Sequence, residues 1–600
     1  MSKNFASAVV VNYNAGRLLA RCVEALISST VRVEVIIVDN ASFDNSLELM
    51  PADKVTLIKN NENLGFSKAV NLGAQKATTD HLVVVNPDCI VAANCIEQLI
   101  QELQHSDTGL VGGLVLNPDG SEQRGCRRYE PSTIRAGLRV LQPVLKVFGK
   151  TSNSIDRTRE AIPESPISVD AISGALFGIS LSYFHELNGM DEGYFLHCED
   201  LDLCRRVRNS GRKVKFHPHA IAVHQKSSSG GTNPTRVERF KHSGMTRYYR
   251  KFTSHGGLDP RFWFIWISVW VRWLCIALLN VFQRGKKSNK LTDSLSSIND
   301  FQLNTSKPIL IILGASSQIG TYLLDLDSAK KYRILAVSRD AQSQLSTDSI
   351  WWIKPEGIAS VIQFLDKPLC HWIHLAPIWL TASFSNAIKV CHPSRIVAVS
   401  SSSIITKKNS SSKKDLSIVQ RLEEGESSIQ QLSEELNNSF TIFRPTMIYG
   451  NTQNTNVFFL EKIIRRFGIF PIVGQGCGKR QPVHAEDIAK SCIDVIANKD
   501  TFNNHYILNG GETFTFKDLL TRIFSHTGRK TRFLRIPKST LRVILSICSK
   551  IPAMEFLTAD MVDRMDVDLA FDSRKAKTDF NYAPRKFELM RQINDRHMNG

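Results

Sequence analysis

The first 90 residues of the chain alternate short apolar runs with stretches of helical periodicity. The apolar runs, which predict buried strands, lie at residues 8–11, 33–38, 55–59 and 82–85. Residues 14–28 and 67–76 have apolar positions at the spacing of amphipathic helices. Alternation of this kind predicts an α/β fold in which a mostly parallel sheet is covered by helices.

Three of the predicted strands end in polar turns, at residues 12–14, 39–42 and 86–88. Pro87 cannot continue a central strand because it offers no N–H group. Ligands bind at the carboxyl ends of strands in open α/β sheets, so Asp88 is placed to hold a cation or a phosphorylated ligand. The alternative is that Asn86-Pro87-Asp88 forms only a turn.

A second α/β domain is predicted from Lys307 onward. A strand at residues 309–313 is followed by a glycine-containing turn and a helical segment, which is the order of a dinucleotide-binding fingerprint with the pyrophosphate at the helix N-terminus. The candidate cofactor-binding residues of this turn are Gly314, Ser317, Gln318, Ile319 and Gly320, with Ser317 in place of the middle glycine.

Arg339 follows the second predicted strand of this domain, at residues 334–337. An arginine in this place fits the 2′-phosphate of NADP, and a solvated arginine is the equal alternative.

Length and charge add to this picture. A chain of 600 residues predicts roughly three to four domains.

The formal charge of +18 is concentrated at residues 202–251, with 13 Lys or Arg against two acids. Such a patch suits phosphates on a nucleotide or an anionic membrane surface, or it is a solvated basic face. Nucleic acid is not predicted as a partner, because the chain has no familiar DNA-binding or RNA-binding module.

The cysteines and the N-terminus predict a cytoplasmic protein. The 12 cysteines are scattered without a CxxC pair, which argues against a zinc site and against a disulfide framework. Residues 1–7 lack the basic and apolar regions of a secretory signal.

The most apolar stretch of the chain is residues 262–282, but Arg272 lies at its middle, where a charge is unfavourable in a spanning helix. Four tryptophans, Trp263, Trp266, Trp270 and Trp273, share one helical face. This pattern favours a helix lying in the membrane interface, while a spanning helix and packing against the enzyme core stay open. The polar residues 284–306 that follow predict a linker.

Five motifs in the first 206 residues carry a family resemblance. In order, they are Val9-Val10-Val11-Asn12-Tyr13-Asn14, Val38-Asp39-Asn40-Ala41-Ser42, Asn63-Leu64-Gly65-Phe66, Asn86-Pro87-Asp88 and Phe195-Leu196-His197-Cys198-Glu199-Asp200-Leu201-Asp202-Leu203-Cys204-Arg205-Arg206. Together they resemble the family 2 glycosyltransferases of the GT-A fold, in particular the bacterial O-antigen rhamnosyltransferases.

The resemblance implies a donor site for a nucleoside diphosphate sugar, either dTDP-linked or UDP-linked. Asp39 would accept hydrogen bonds from the pyrimidine base, and the main chain around Val11 and Tyr13 would line the same pocket, with Gly65 nearby. Asp88 matches the last position of the family's Asp-x-Asp motif, whose first position here is Asn86. It would ligate Mg²⁺ or Mn²⁺ bridging the donor diphosphate.

His224 matches a histidine that contacts the metal or the diphosphate in related enzymes. A structural role is equally open for a lone histidine.

The resemblance also implies an acceptor site. Asp200 resembles the general base that takes a proton from the acceptor hydroxyl, and Glu199 would contact the acceptor. For Glu199 and Asp202 the sequence alone favours ion pairing on a helix surface at i to i+3 or i+4 spacing. The function implied is inverting transfer of a sugar, such as rhamnose, to a lipid-linked saccharide in O-antigen synthesis, on the cytoplasmic face of the membrane.

The second half resembles the extended short-chain dehydrogenases of the epimerase and dehydratase type. The fingerprint at residues 314–320 is followed by His374-Leu375-Ala376, residues 397–402, Phe443-Arg444-Pro445-Thr446-Met447-Ile448-Tyr449-Gly450 and residues 480–487. The family's Tyr-x-x-x-Lys pair is missing, because residues 400–448 contain no tyrosine. We therefore expect binding of NAD(P) or a sugar nucleotide without the usual redox chemistry.

Two alternatives remain: a bifunctional enzyme with an active nucleotide-sugar epimerase or reductase at its C-terminus, and a binding module with both sites inactive. The predicted divisions are a GT-A domain at 1–257, a membrane-interface helix at 258–283, a linker at 284–306 and a Rossmann domain at 307–600.

Overall fold

The structure is a computed structural model. It describes residues 5–51, 54–131, 156–158, 160–225, 234–252, 307–341, 346–365, 369–410, 412–450, 456–548 and 564–589, together with Trp263, Trp266, Ile267, Trp270, Phe301 and Val562. The chain divides into two compact units, one formed by Met1–Asn304 with Gln342–Pro368 and the other by Thr305–Ala341 with Leu369–Gly600.

The first unit is built on one large sheet. Its strands within Met1–Asn304 are β1 Phe5–Asn12, β2 Arg32–Asp39, β3 Val55–Lys59, β4 His81–Val85, β5 Cys89–Val91, β6 Thr108–Leu116, β7 Arg127–Arg128, β8 Ile167–Ser168, β9 Ala171–Ile172, β10 Leu176–Ser180 and β11 Lys213–His224. The helices are α1 Arg17–Ile27, α2 Phe66–Ala74, α3 Cys95–Leu103, α4 Leu181–Glu186, α5 Glu199–Asn209 and α6 Pro234–Phe252.

The strand order places the polar turns of the sequence at one edge of this sheet. Strands run in the order β3-β2-β1-β4-β10-β6-β11-β5, with β3, β2, β1 and β4 mutually parallel and β10 antiparallel to β4. The register pairs Asn12 with Asp39 at the carboxyl ends of β1 and β2. β1 is buried from Ala6 to Asn12, as expected for a strand covered on both faces.

The predicted elements at residues 8–11, 33–38, 55–59 and 82–85 are thus confirmed as β1 to β4. The observed bounds differ from the predicted ones by at most a few residues. The end of an apolar run in the sequence does not mark the last hydrogen bond between strands.

The second unit contains a parallel sheet flanked by helices. The strands of residues 307–589 are β12 Ile309–Leu313, β13 Arg333–Val337, β14 Ile350–Ile353, β15 Cys370–His374, β16 Arg395–Val399, β17 Ser439–Pro445, β18 Ile448–Tyr449, β19 Phe470–Ile472, β20 Lys479–Arg480, β21 Val483–His484, β22 Asn504–Leu508, β23 Phe514–Thr515 and β24 Phe533–Arg535; β14 lies in the segment that groups with the first unit.

The helices of the same region are α7 Gln318–Asp325, α8 Ile358–Phe364, α9 Ser385–Cys391, α10 Ser403–Thr406, α11 Lys413–Glu435, α12 Asn456–Phe467, α13 Ala485–Asp494, α14 Phe516–His526, α15 Lys538–Cys548 and α16 Arg574–Phe580; α8 belongs with β14 to the first unit.

The order of strands in the second unit is that of a Rossmann sheet. β12 pairs in parallel with β13 on one side and β15 on the other, and β16, β17 and β22 continue the sheet in parallel. The carboxyl end of β12 therefore lies next to a point where the strand order reverses, which is the usual ligand-binding position of such sheets. The α/β fold class with a Rossmann unit is confirmed.

Most of the apolar stretch at residues 262–282, and the predicted linker at 284–306, lie outside the described residues. Within the residues that are described, no helix is long and apolar enough to cross a membrane.

Candidate functional site

A buried polar pocket lies at the carboxyl ends of β1 and β2. Asn12 donates from Nδ2 to Asp39 Oδ1 at 2.7 Å, and the Ser42 amide donates to Asp39 Oδ2 at 3.2 Å. Asn12 also reaches Ser42 Oγ at 3.0 Å. These bonds hold the Asp39 carboxylate in one orientation, with lone pairs left over to accept hydrogen bonds from a ligand.

An aromatic pair lies beside this pocket. Tyr13 and Phe43 are in edge contact, with ring centroids 6.4 Å apart, and Phe43 is 78% exposed. Tyr13 follows the last residue of β1, whereas Val11 is a buried residue within it. An exposed aromatic ring next to a carboxylate suits a planar base, which can stack on the ring and donate hydrogen bonds to the acid.

The turn before α2 connects this pocket to the turn before α5. Asn40 donates from Nδ2 to the Gly65 carbonyl at 3.1 Å, and the Phe66 amide donates to the Phe195 carbonyl at 2.8 Å. Gly65 has φ +83°, and a Cβ there would lie 2.7 Å from the Phe195 oxygen. Only glycine fits this approach.

Asp88 follows β4 and faces the end of β11. Its Oδ1 lies 2.9 Å from His224 Nε2, and His224 Nδ1 lies 2.7 Å from Gln123 Oε1. The Gln123 amide is oriented by donating from Nε2 to Asn117 Oδ1 at 3.2 Å and to the His224 carbonyl at 3.3 Å. Since Gln123 Oε1 can only accept, His224 Nδ1 carries a hydrogen, and Nε2 faces the Asp88 carboxylate.

This arrangement fits a divalent cation. A lone pair on Nε2 would repel the carboxylate oxygen, so a proton or a cation must lie between the two atoms. Asp88, Cys89 and His224 bring one oxygen, one sulfur and one nitrogen within 4.8 Å of one another. Burial, and then the charge of Asp88, raise the pKa of the Cys89 thiol well above its ordinary value. The set is therefore an oxygen and nitrogen pair suited to Mn²⁺ or Mg²⁺, with Cys89 a neutral neighbour.

Glu199 and Asp200 begin helix α5. The two residues before it, His197 and Cys198, have φ of 71° and 73°, an unfavourable conformation for side chains other than glycine. Asp200 Oδ2 accepts from Arg128 at 2.5 Å and from the Gly174 amide at 3.2 Å. Asp200 Oδ1 accepts from the Leu201 amide at 2.8 Å.

Glu199 lies beside Asp200 in a different environment. Its side chain is buried, and within the described chain Oε2 has no hydrogen-bond partner. Burial, and next the charge of Asp200, raise the pKa of Glu199 to about 8. Glu199 is consequently protonated near neutral pH.

The predicted ion pair of Asp202 at i to i+4 spacing is confirmed with Arg206, whereas the predicted surface position of Glu199 and Asp202 is wrong because both residues are buried. Glu199 makes no ion pair within the described residues, and Asp202 is fully buried, where it accepts from Arg206 and from Lys251, both at 2.6 Å. Arg206 lies at the expected spacing from Asp202. Helix α6, however, covers Asp202 and supplies the second partner, Lys251. The sequence pattern of α5 alone does not contain that packing.

In the second unit, the turn between β12 and α7 has the geometry of a phosphate-binding turn. Gly314 has φ +85°, and a Cβ there would lie 2.8 Å from the Ala376 nitrogen. Ser317 caps α7 by accepting from the Gly320 amide at 3.2 Å, and Ile319 is buried behind it. Free N–H groups at a helix N-terminus attract phosphate. Arg339 is exposed, directly beyond β13.

Three further polar side chains lie where β12, β15 and β16 end. Gln318 Nε2 and Ser400 Oγ are buried and have no hydrogen-bond partner within the described part of the chain. Burial lowers the pKa of His374 to about 4, so its ring is neutral. Residues 416–423, where the Tyr-x-x-x-Lys pair is expected, form the first turns of α11, with Val419 and Leu422 buried. This stretch contains neither a tyrosine nor a lysine.

A family model described as glycosyl transferase family 2 matches residues 7–175. The N-acetylglucosaminyl-diphospho-decaprenol L-rhamnosyltransferase of Mycobacterium tuberculosis is 30% identical to this chain over 280 residues, which are 42% of this chain and 90% of that protein. The chain belongs to glycosyl transferase family 2.

This glycosyltransferase is also similar to glycosyltransferase GlyG of Streptococcus pneumoniae serotype 4, with 35% identity over 122 residues, 19% of this chain and 40% of that protein. Among solved structures, the UDP-glucuronic acid 4-epimerase from Bacillus cereus, in complex with UDP-glucuronic acid and NAD, matches at 14% identity with a TM-score of 0.36, covering 46% of this chain and 94% of that chain.

Several residues of the transferase site were not predicted from the sequence. Asn12 stood in the first motif without a role, yet it orients Asp39. Gln123 and Arg128 lie in a stretch without a motif, and each contacts a side chain far along the chain. Only their residue types, an amide and a guanidinium suited to orienting a histidine and a carboxylate, gave any signal.

Proposed function

We propose that the first unit is an inverting glycosyltransferase that moves a deoxysugar, rhamnose, from a dTDP or UDP donor to a lipid-linked saccharide in the synthesis of a bacterial surface polysaccharide such as O-antigen. The observation that carries this proposal is the pairing of a donor-type pocket at Asp39 and Asp88 with an oriented carboxylate at Asp200. The similarity to a rhamnosyltransferase supports the choice of sugar.

Each acid has a part in this reaction. Asp39 accepts from the base of the donor, beside the rings of Tyr13 and Phe43. Asp88 and His224 would hold the divalent cation, which neutralises charge on the leaving diphosphate when it is bound. Asp200 accepts the proton of the acceptor hydroxyl as its oxygen bonds to the anomeric carbon, while the bond from that carbon to the diphosphate breaks and the nucleoside diphosphate leaves.

The acceptor is proposed to carry a lipid diphosphate, as in the name of the mycobacterial relative. Exposed apolar side chains support contact with a membrane surface from the cytoplasmic side: Trp263 is 47% exposed and Trp266 is 38% exposed. Their rings lie 5.8 Å apart, and the ring of Trp270 lies 6.4 Å from that of Trp266, as on one helical face.

The test is donor consumption by the full-length chain. We would measure nucleoside diphosphate release from dTDP, UDP and GDP sugars, with an N-acetylglucosaminyl-diphospho-lipid acceptor. Asp200→Asn is expected to lower the rate by about 10² to 10⁴, the usual contribution of a general base. Asp107→Asn, an exposed carboxylate paired with Lys213, is the control and should keep the parental rate. No release from any donor, or an unaffected Asp200→Asn enzyme, would contradict the proposal.

We propose, as a second function, that the second unit binds NAD(P) or a sugar nucleotide without redox turnover. The supporting observations are the Gly314 turn, the capped N-terminus of α7 and the unpartnered polar atoms of Gln318 and Ser400. The lack of a tyrosine and a lysine at 416–423 argues against the usual acid and base chemistry.

Calorimetric titration of the full-length chain with NAD and with NADP tests this function. Gly314→Ala should weaken binding about tenfold or more, because the added methyl group forces the turn away from Ala376. Gly528→Ala is the matched control: its φ is +68°, but a Cβ there meets nothing within 4 Å. Absence of binding would end this proposal, and turnover of NAD(P)H with a nucleotide sugar would establish the bifunctional alternative.

A further inference from the structure

Within the described residues, Arg128 is the one charged side chain that donates a hydrogen bond to Asp200, and it lies outside α5. It belongs to the two-residue strand β7, which pairs with β9, and it also donates to the Ile172 carbonyl of β9. The guanidinium is thus anchored to the backbone of one element while it binds the acid of another. The two side chains are 19% and 16% exposed, so water screens the pair only partly.

The two carboxylate oxygens of Asp200 have different numbers of hydrogen-bond donors. Oδ2 accepts from both Arg128 and Gly174, which uses its two lone pairs. Among the residues that the structure describes, Oδ1 accepts only from the Leu201 amide and keeps one lone pair. The oxygen free to take a proton is therefore selected by the guanidinium and by two backbone amides.

Other titratable groups lie close to this pair. Glu199 and the thiols of Cys198 and Cys204 lie near Asp200, while Lys241 of α6 acts on Cys198 and Arg208 of α5 acts on Cys204. Burial alone would lower the pKa of Arg128, but the charge and hydrogen bond of Asp200 leave it raised above its ordinary value. The guanidinium is consequently a permanent positive charge.

We propose that Arg128 is a positioning residue for the transfer reaction, which fixes Asp200 with Oδ1 presented to the acceptor hydroxyl and holds a positive charge beside the carboxylate. This inference rests on the proposed transferase function. Asp200 takes the proton on Oδ1, and Arg128 neither gains nor loses one.

The neighbouring Arg127 offers a matched control. It lies on the same strand and is also buried, but it pairs with Glu122, at 2.9 Å from Nε and 3.0 Å from Nη2, and donates to the Glu160 carbonyl at 2.7 Å. Removing either arginine disrupts a buried ion pair on β7. Only the loss of Arg128 releases Asp200.

The test is the pH profile of kcat/KM in the full-length chain, measured by nucleoside diphosphate release. Arg128→Gln should lower kcat at least tenfold, with KM for the donor changed less than about threefold, and should move the acid limb upward by ~1 pH unit or more, since the carboxylate loses its cation. Arg128→Lys should return the limb towards that of the parent. Arg127→Gln should leave the limb in place.

A double variant separates the possible outcomes. If Arg128 acts through Asp200, Arg128→Gln combined with Asp200→Asn is no slower than Asp200→Asn alone. The inference is overturned if the acid limb stays fixed in Arg128→Gln, if Arg127→Gln moves it equally, or if the two losses multiply. Inactivity of the parent enzyme with every donor would instead refute the proposed transferase function, before Arg128 is examined.

Discussion

Glu199 and Asp200 are adjacent in the sequence, but their carboxyl groups have different hydrogen-bond partners. Asp200 has a guanidinium and two amides, whereas one oxygen of Glu199 is buried with no hydrogen-bond partner in the described residues. A site with one ionised and one neutral carboxyl group has an acceptor of protons and a potential donor of hydrogen bonds side by side. Their different partners, rather than their residue types, assign the two roles.

The burial of Glu199 predicts pH-dependent stability. Its pKa is about 8 in the folded chain, against 4.5 for an ordinary glutamate, so between these values the folded state holds a proton that the unfolded state has released. Stability contributed by this group therefore falls as pH rises from about 4.5 to about 8. Glu199→Gln, which stays neutral, should gain about 1 to 3 kcal/mol over the parent across this window.

Thermal unfolding between pH 5 and about pH 9.5 checks this expectation. The gap in melting temperature between Glu199→Gln and the parent should widen with pH and level off above pH 8. Glu186→Gln, an exposed glutamate at the end of α4, serves as the control and should show a constant gap. A gap for Glu199→Gln that is equally independent of pH would show that the residue titrates normally.

Single residues were predictable where a strand end fixes their position. Asp39 and Asp88 follow apolar runs, so their place at the carboxyl edge of the sheet follows from the sequence. Arg128 and Gln123 could not be found in this way. Their partners are Asp200 and His224, 72 and 101 residues further along, and no periodic pattern encodes contacts over such separations.

At the scale of elements, the turn before α5 is confined between two helices. On one side, the Phe195 carbonyl meets the N-terminus of α2 at Gly65. On the other side, Gly244 of α6 approaches so closely that a Cβ would lie 2.6 Å from the His197 oxygen and 3.2 Å from Cys198 Cβ. Packing from both sides holds His197 and Cys198 in their unfavourable conformation.

Gly244→Ala is expected to destabilise this unit, although alanine forms helices better than glycine by about 1 kcal/mol. The backbone clash with His197 should outweigh that gain and lower the free energy of unfolding by about 1 to 3 kcal/mol. Transfer should fall as well, because the turn carries Glu199 and Asp200. Ser243→Ala, at the exposed neighbouring position, is the control. An alanine variant at 244 that melts above the parent would refute the tight packing.

Elements were predicted well where periodicity is strong, as for β1 to β4 and β12. The sequence did not reveal that α6 covers α5, since the acidic and basic spacing of α5 resembles that of a solvent-exposed helix. Lys251 and Arg247 of α6 bind Asp191, and Lys251 also binds Asp202. Part of the basic segment at 202–251 therefore neutralises buried or half-buried acids of the same unit.

At the scale of the whole molecule, the motifs predicted a transferase unit and then a Rossmann unit. Each fold has characteristic residues at its first strand and turn. The motifs did not predict how the chain passes between the two units. Gln342–Pro368, which contains β14 and α8, groups with the first unit although it follows two strands of the second. Apolar patterning predicts that such a segment is buried, but not which unit buries it.

This interrupted path limits how the gene can be divided. A stop codon or a protease cut near residue 306 would yield a first fragment that lacks 342–368. This fragment would begin with a defect, so its failure to stay soluble would say nothing about its catalytic competence. Point substitutions in the intact polypeptide are the cleaner genetic means of assigning activities to the two units.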